Sequence, residues 1–176
     1  ACNDLVHVSL GDNCTETIMP DMILEGQIYP NDFYNVEVKT ANGTIITNSI
    51  MTKSHIGKTY QVIVTLDGCD LSCWGNIKIE DKLPPVITNC PDVTVDCGEP
   101  TAPNNVPRPS AADACTTITL VNSDKEVISQ CSDEFVKVIT RTWTASDIYG
   151  NKSTCVQTIN VTRPTIEDVS FPENYD

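Results

Sequence analysis

Hydrophobic positions recur at every second residue along much of this chain. Tyr60, Val62, Val64 and Leu66 fall on one face of an extended segment, with Gln61, Thr65 and Asp67 on the other and Ile63 as the exception. Tyr34, Val36 and Val38 repeat the pattern, as do Val6, Val8 and Leu10. In the second half Ile139, Trp143 and Ala145 share a face opposite Thr140, Thr142 and Thr144. A period of two means half-buried β-strands, and no 3.6-residue pattern of helix length competes with it. Asn42-Gly43, Asp67-Gly68 and Gly150-Asn151 mark turns. Many short strands with regular turns predict an all-β fold: two tandem Ig-like β-sandwich domains stapled by disulfides, with a C-terminal extension.

The boundary falls at Glu80-Asp81-Lys82-Leu83-Pro84-Pro85, where two prolines stiffen the connection and cannot continue a central strand. The segment before it has a counterpart later. Cys73 is followed by Ile77 and Ile79 and then the prolines; Cys155 is followed by Ile159 and Val161 and then Arg163-Pro164. This weak repeat divides the chain into domains over 1–82 and 83–163, with 164–176 as a linker or docking strand. That last stretch is acidic, yet carries apolar Ile166, Val169 and Phe171. It reads either as an unstructured terminus or as a segment that docks on a neighbouring unit by adding a strand to an open sheet edge. Docking of that kind would join copies head to tail.

Nine cysteines in 176 residues change the picture. Small sandwiches have thin cores, and cysteine at this density implies disulfides and an oxidising compartment, so the chain is expected to be extracellular, secreted or displayed on a cell surface. No C-x2-C pair is present and only His7 and His55 could assist, which disfavours zinc. Cys90 and Cys97 flank the predicted strand Asp92 to Asp96, about 20 Å apart when extended, so they do not pair with each other. In an Ig-like topology the first and last strands run parallel, which brings Cys90 to Cys155, and the end of the first strand meets the start of the strand carrying Trp143, which brings Cys97 to Cys131. The alternative of Cys115 with Cys131, flanking a hairpin near Ser123, stays open. In the first half Cys69 and Cys73 bracket a short loop, leaving Cys2 for Cys14; Cys2 with Cys73, by analogy with Cys90 and Cys155, stays open too.

The stretches PPVITNCPDVTVDCG, AADAC and ITRTWTASDIYGNKSTCVQTINV occur in that order. They resemble the hyalin-type (HYR) Ig-like repeat, above all the copies in very large secreted surface proteins of gliding bacteria. The resemblance covers about residues 83–163; the first half resembles, with lower specificity, a module that often precedes that repeat. It implies a structural, non-enzymatic module of a surface adhesin or filament, whose partners are neighbouring repeats or further copies. Many copies of the repeat carry a cysteine where this chain has Tyr149, so the resemblance implies that Cys115 has lost its partner and is a free or intermolecular thiol.

The remaining chemistry is sparse. With 24 acidic against 11 basic residues the chain repels phosphate backbones, which excludes nucleic acid as a partner. No apolar run is long enough to span a bilayer. Neither histidine neighbours a nucleophile motif and no pair of carboxylates stands out, so no enzyme is predicted. No cofactor is called for; calcium held by Glu80 and Asp81 near the junction is the one metal considered. Trp143 reads as core, and Trp74 as packed on a disulfide or exposed for sugar stacking. A glycan- or protein-binding adhesion module is the alternative function. Four N-x-S/T sequons, at Asn13, Asn42, Asn151 and Asn160, are candidate glycosylation sites.

Overall fold

The alternating segments form strands, and the faces they present follow the alternation. The computed structural model describes residues 1–69, 71–130 and 133–164. Within them the chain divides into two compact units, Ala1–Leu83 together with Ala114–Thr116, and Pro84–Asp113 together with Thr117 onward. The division lies one residue beyond the expected boundary. The return of Ala114–Thr116 to the first unit was not foreseen.

The first unit contains β1 (Leu5–Ser9), β2 (Thr15–Thr17), a single helical turn α1 (Pro20–Ile23), β3 (Tyr34–Lys39), β4 (Ile45–Ile46), β5 (Ile50–Thr52), β6 (Thr59–Leu66) and β7 (Ser72–Glu80). Its main sheet has the order β1-β7-β6-β3-β4, accompanied by the β2–β5 pair. The β1–β7 pairing is parallel and the β6–β7 and β3–β6 pairings are antiparallel. On β6, Tyr60, Val62 and Val64 point inward, while Ile63 lies opposite Trp74 on the outer face. The turns at Gly43 and Gly68 have φ of 84° and 74°, which only glycine adopts without strain. Twelve buried residues fill the unit, among them Leu10, Ile18, Ile23, Met51, Ile77 and Ile79.

The second unit contains β8 (Val86–Thr88), β9 (Val93–Val95), β10 (Ser110–Ala112), β11 (Ile118–Ile128), β12 (Phe135–Asp147) and β13 (Lys152–Thr162). Its sheet runs β11-β12-β13-β9, beside the β10–β8 pair, so each unit sets a larger sheet with a small one in a sandwich-like arrangement. The last strand again runs parallel to the first long-range partner, β9. The hairpin expected near Ser123 is instead an unbroken strand, with Ser123 opposite Thr142 in mid-β11 and the reversal between Ser129 and Val136. The β12–β13 turn is built by Asp147, whose carboxylate accepts the backbone N–H groups of Tyr149 (2.9 Å) and Asn151 (2.8 Å) and the Asn151 amide (2.7 Å).

Candidate disulfide clamps and surface sites

In the first unit Leu5 and Asn76 are register partners across the parallel β1–β7 pair. Cys2 lies three residues before Leu5, and Cys73 three residues before Asn76. The two are therefore carried side by side and are joined, with Cα atoms 5.7 Å apart. Between them the strands come unusually close. A Cβ on Gly75 would sit 2.1 Å from the Asn3 carbonyl oxygen, so no side chain fits there. Asn3 and Asp4 are fixed by backbone bonds from Asn3 N–H to Ile23 O (2.8 Å) and from Asn76 N–H to Asp4 O (3.0 Å).

The second unit repeats the device. Val93 and Ile159 are partners in the parallel β9–β13 pair. Cys90 and Cys155, three and four residues upstream of them, are joined with Cα atoms 6.4 Å apart. Here a buried amide adds to the clamp. Gln157 is fully buried, and its Nε2 donates to the carbonyl oxygens of Pro91 (2.7 Å) and Pro107 (2.6 Å), while its Oε1 accepts the indole N–H of Trp143 (3.0 Å). Asp92 accepts the Thr158 N–H at 2.6 Å. Directly opposite Gln157 across the β12–β13 pair, Arg141 is 1 % exposed and grips Asp124 with two N–H groups, both at 2.7 Å, while donating to Thr101 O at 2.8 Å. That fork holds the Asp124 carboxyl below the usual carboxylate range. The guanidinium groups of Arg108 and Arg141 lie 5.5 and 5.9 Å from the Trp143 ring centre.

The sulfur pairs correct several expectations. Cys73 does not close on Cys69, because alternation along β7 aims it at the entering chain; Cys69 is exposed and unbridged. Cys14 does not close on Cys2. It pairs with Cys115, Cα atoms 5.0 Å apart, because Ala114–Thr116 packs in the first unit against its core. Cys115 is therefore neither a free nor an intermolecular thiol. Cys14 itself is buried with φ of 57°, a left-handed conformation costing about 1 kcal/mol or more for a side chain with a Cβ, and the turn Gly11–Thr15 and the bridge hold it there. Cys97 is exposed and outside these bridges; Cys131, its expected partner, lies outside the described residues. Three bridges fit an oxidising compartment.

Trp143 is core, 1 % exposed. Trp74 is 62 % exposed, since the residue after Cys73 on a strand must face the opposite side of the sheet and cannot pack on its bridge. It shares that outer face with Ile63, Gln61, Asn76 and Leu5. Glu80, considered as a calcium ligand, is ringed instead by Lys82 at 2.8 Å, Lys78 at 3.3 Å and the His7 Nδ1 at 2.7 Å. Its bonds to Lys82 and His7 hold its carboxyl down to about 2. The neighbouring Asp81 is buried and accepts the Leu83 N–H at 3.3 Å. His55 accepts the Thr52 N–H at 2.8 Å, lies 3.2 Å from the Thr52 hydroxyl and meets Tyr60 edge-on, which closes a capping box on the turn Lys53–His55. Asn13 and Asn42 stand on exposed turns, where each accepts a hydroxyl bond from the Thr of its own sequon. Asn151 is bound to Asp147, and Asn160 sits within β13 opposite Val138 and Thr94. Ile166, Val169 and Phe171 lie outside the described residues. No helix among those residues is long and apolar enough to cross a membrane.

Arg141 and Gln157 are the functional positions that composition alone conceals. A signal existed: each falls on the inward parity, Arg141 between Ile139 and Trp143, Gln157 between Cys155 and Ile159.

No family model and no curated protein matches the chain. Among solved structures it is similar to human mucin-like protocadherin EC1-2, at 15 % identity and TM-score 0.33 over 92 % of this chain and 97 % of that one. It is also similar to human protocadherin-24 EC1-2, at 13 % identity and TM-score 0.36 over 91 % and 95 %. A third is Drosophila N-cadherin EC1-3, at 13 % identity and TM-score 0.33 over 90 % and 64 %. At scores this low the likeness fixes neither a common fold nor a common role.

Proposed function

We propose that this chain is a structural, non-enzymatic extracellular building block, a spacer in a cell-surface adhesin or filament that bears tension along its length. The supporting observation is the repeated clamp: in each unit the last strand pairs in parallel with an early one, β1 or β9, and a disulfide joins the two just upstream of that pairing. Tension arriving at Cys2 passes through sulfur to Cys73 and leaves along β7; tension arriving at Cys90 passes to Cys155 and leaves along β13. Once a bridge is reduced, the same pull loads the parallel neighbours from opposite ends and shears their hydrogen bonds together instead of opening them one by one. The bridged cysteines are 71 and 65 residues apart, so each loop withholds roughly 200–250 Å of chain from extension. This mechanical use agrees with the resemblance of residues 83–163 to the hyalin-type Ig-like repeat.

Single-molecule stretching of the oxidised and reduced chain tests the proposal. Oxidised chains should yield short extensions, and reduction should add two steps, each of roughly 200–250 Å. Equal extensions in both states would refute it.

The exposed Trp74 favours a second reading, an adhesion module that binds a glycan. An indole face beside the amides of Gln61 and Asn76 offers stacking for a sugar ring and hydrogen bonds for its hydroxyls. A glycan array with and without chelator, run on the native chain and on Trp74→Ala, separates the two readings and tests any calcium requirement: binding lost in the variant supports it, and no binding under either condition removes it. Head-to-tail joining of copies through residues 165–176 would extend the spacer role but is not required by it.

A further inference from the structure

The second unit's sheet ends on a long bare strand. β11 is an edge of the order β11-β12-β13-β9, and among the described residues its far side meets no other strand. Every residue from Val121 to Ile128 is exposed, with Val121, Val127 and Ile128 at 58, 53 and 81 %. Natural edges are blunted by proline, by bulges or by protruding charge. β11 has no proline, and its register against β12 runs unbroken for eleven pairs, from Ile118–Asp147 to Ile128–Lys137. Asp124 and Glu126 are drawn across to Arg141 and Lys137 on β12. The Ser129 N–H bonds to Val136 O, one step beyond the Ile128–Lys137 pair. By alternation the odd residues of β11 bond to β12, so the even ones, from Ile118 to Ile128, turn their N–H and C=O groups to the open side.

We infer that β11 pairs antiparallel with β11 of a second copy of this chain, about a two-fold axis at Ser123. The strand's own sequence argues for this occupant. With Ser123 facing its own equivalent, all eleven residues overlap and even residues meet even ones, as the outward backbone groups require. The charged Asp124, Lys125 and Glu126 then face Asn122, Val121 and Leu120 of the second copy, and the exposed Ile128 faces Ile118. No like charges lie directly opposite. The Asn122 amide, which donates to Asp124 within its own strand at 3.2 Å, faces a second Asp124 carboxylate. Centring the pair on Asp124, Lys125 or Glu126 would set that charge against itself and shorten the overlap. The pairing joins two four-stranded sheets edge to edge. Its copies run in opposite directions, so it ties chains side by side. It adds a lateral contact to the spacer role and does not depend on it.

Analytical ultracentrifugation of the native chain and three variants tests it, with the exposed Cys69 and Cys97 alkylated so that sulfur cannot join copies. The native chain should reach a monomer–dimer equilibrium. Asn122→Pro removes an N–H that points to the open side, so the β12 ladder survives while dimerisation should be lost. Val121→Lys sets a like charge opposite Lys125 at two symmetric points and should weaken dimerisation about tenfold; adding Lys125→Glu makes each an opposite pair and should restore it. Unchanged hydrogen exchange of β12–β13 peptides certifies the fold of each variant. A native chain that stays monomeric at millimolar concentration overturns the proposal. So does a dimer that Asn122→Pro leaves intact, or one that Val121→Lys weakens and Lys125→Glu does not rescue.

Discussion

In the first unit twelve residues from Val8 to Ile79 make one buried cluster; in the second the corresponding cluster is Val106, Ile139 and Ile159, with Val93 and Val95 against it. The second unit uses polar groups where the first uses hydrocarbon. Arg141 and Gln157 occupy inward positions on β12 and β13 that in the first unit's sheet go to residues such as Val62 and Ile77. Burial of a guanidinium or an amide stabilises only when its bonds are made, and each bond made here joins segments remote in sequence. The clamp is common to both units, but what it presses together differs: a packed interior in one, a hydrogen-bonded lattice in the other.

The sharpest way to break this contrast is to remove each clamp in turn. Loop entropy assigns about 4 kcal/mol to a bridge closing 65 or 71 residues. Cys90→Ala with Cys155→Ala should therefore remove a larger share of the second unit's stability, since among the described residues fewer apolar side chains are buried there (Val106, Ile139, Trp143, Ala145, Ile159 and Val161). Cys2→Ala with Cys73→Ala should weaken the first unit but leave it folded, held by its core and by Cys14–Cys115. Thermal unfolding followed by exchange of β12–β13 and β6–β7 peptides reads the two units separately. Equal losses would mean that the difference between the interiors does not govern stability.

A smaller effect sharpens the polar half of the comparison. Gln157→Leu keeps the volume but orphans the Trp143 N–H and two carbonyl oxygens, which should cost the second unit about 3 kcal/mol. Adding Trp143→Phe removes one of those orphans. If the lattice acts as described, the double variant loses less than the sum of the two single ones in denaturant titrations. Additive losses would show Gln157 to be merely a space-filler.

How far each unit can be read in the sequence follows from the same difference. Strands filled by hydrocarbon announce themselves through alternation, and Tyr60, Val62 and Val64 fall on the face they were assigned. Trp143 does so as well, yet its inward neighbour Arg141 reads as surface because charge normally means solvent. The bridges divide in the same way. An Ig-like topology in which an early strand runs parallel to the last predicts Cys90–Cys155 and, by analogy with it, leaves Cys2–Cys73 open; both bridges are present beside such parallel pairs. Cys14–Cys115 joins residues 101 apart, through a three-residue return of the chain that no local pattern marks. The outward Trp74 was recoverable from parity alone, given that Cys73 faces in.

The smallest effect expected concerns acid, and it again separates the units. Glu80 on the first unit has its carboxyl held at about 2 by Lys82 and His7, against an ordinary value of 4.5. A depressed folded value means that the stabilisation is complete above about 4.5 and disappears as pH falls through about 2. The side chains around it are part-exposed, so screening leaves on the order of 1 kcal/mol. Glu80→Gln should therefore lower the first unit's stability at neutral pH and flatten its decline between pH 4.5 and 2, leaving the second unit's acid response unchanged. In the second unit the Asp124 carboxyl is likewise depressed, but by a buried guanidinium. Protonating Asp124 leaves the Arg141 guanidinium inside the unit without its carboxylate, whereas protonating Glu80 leaves Lys78, Lys82 and His7 where water can reach them. The second unit should accordingly open first on acidification, which exchange of β11–β12 peptides against β1–β7 peptides would record; the reverse order would mean that the Asp124–Arg141 pair does not hold the polar interior together.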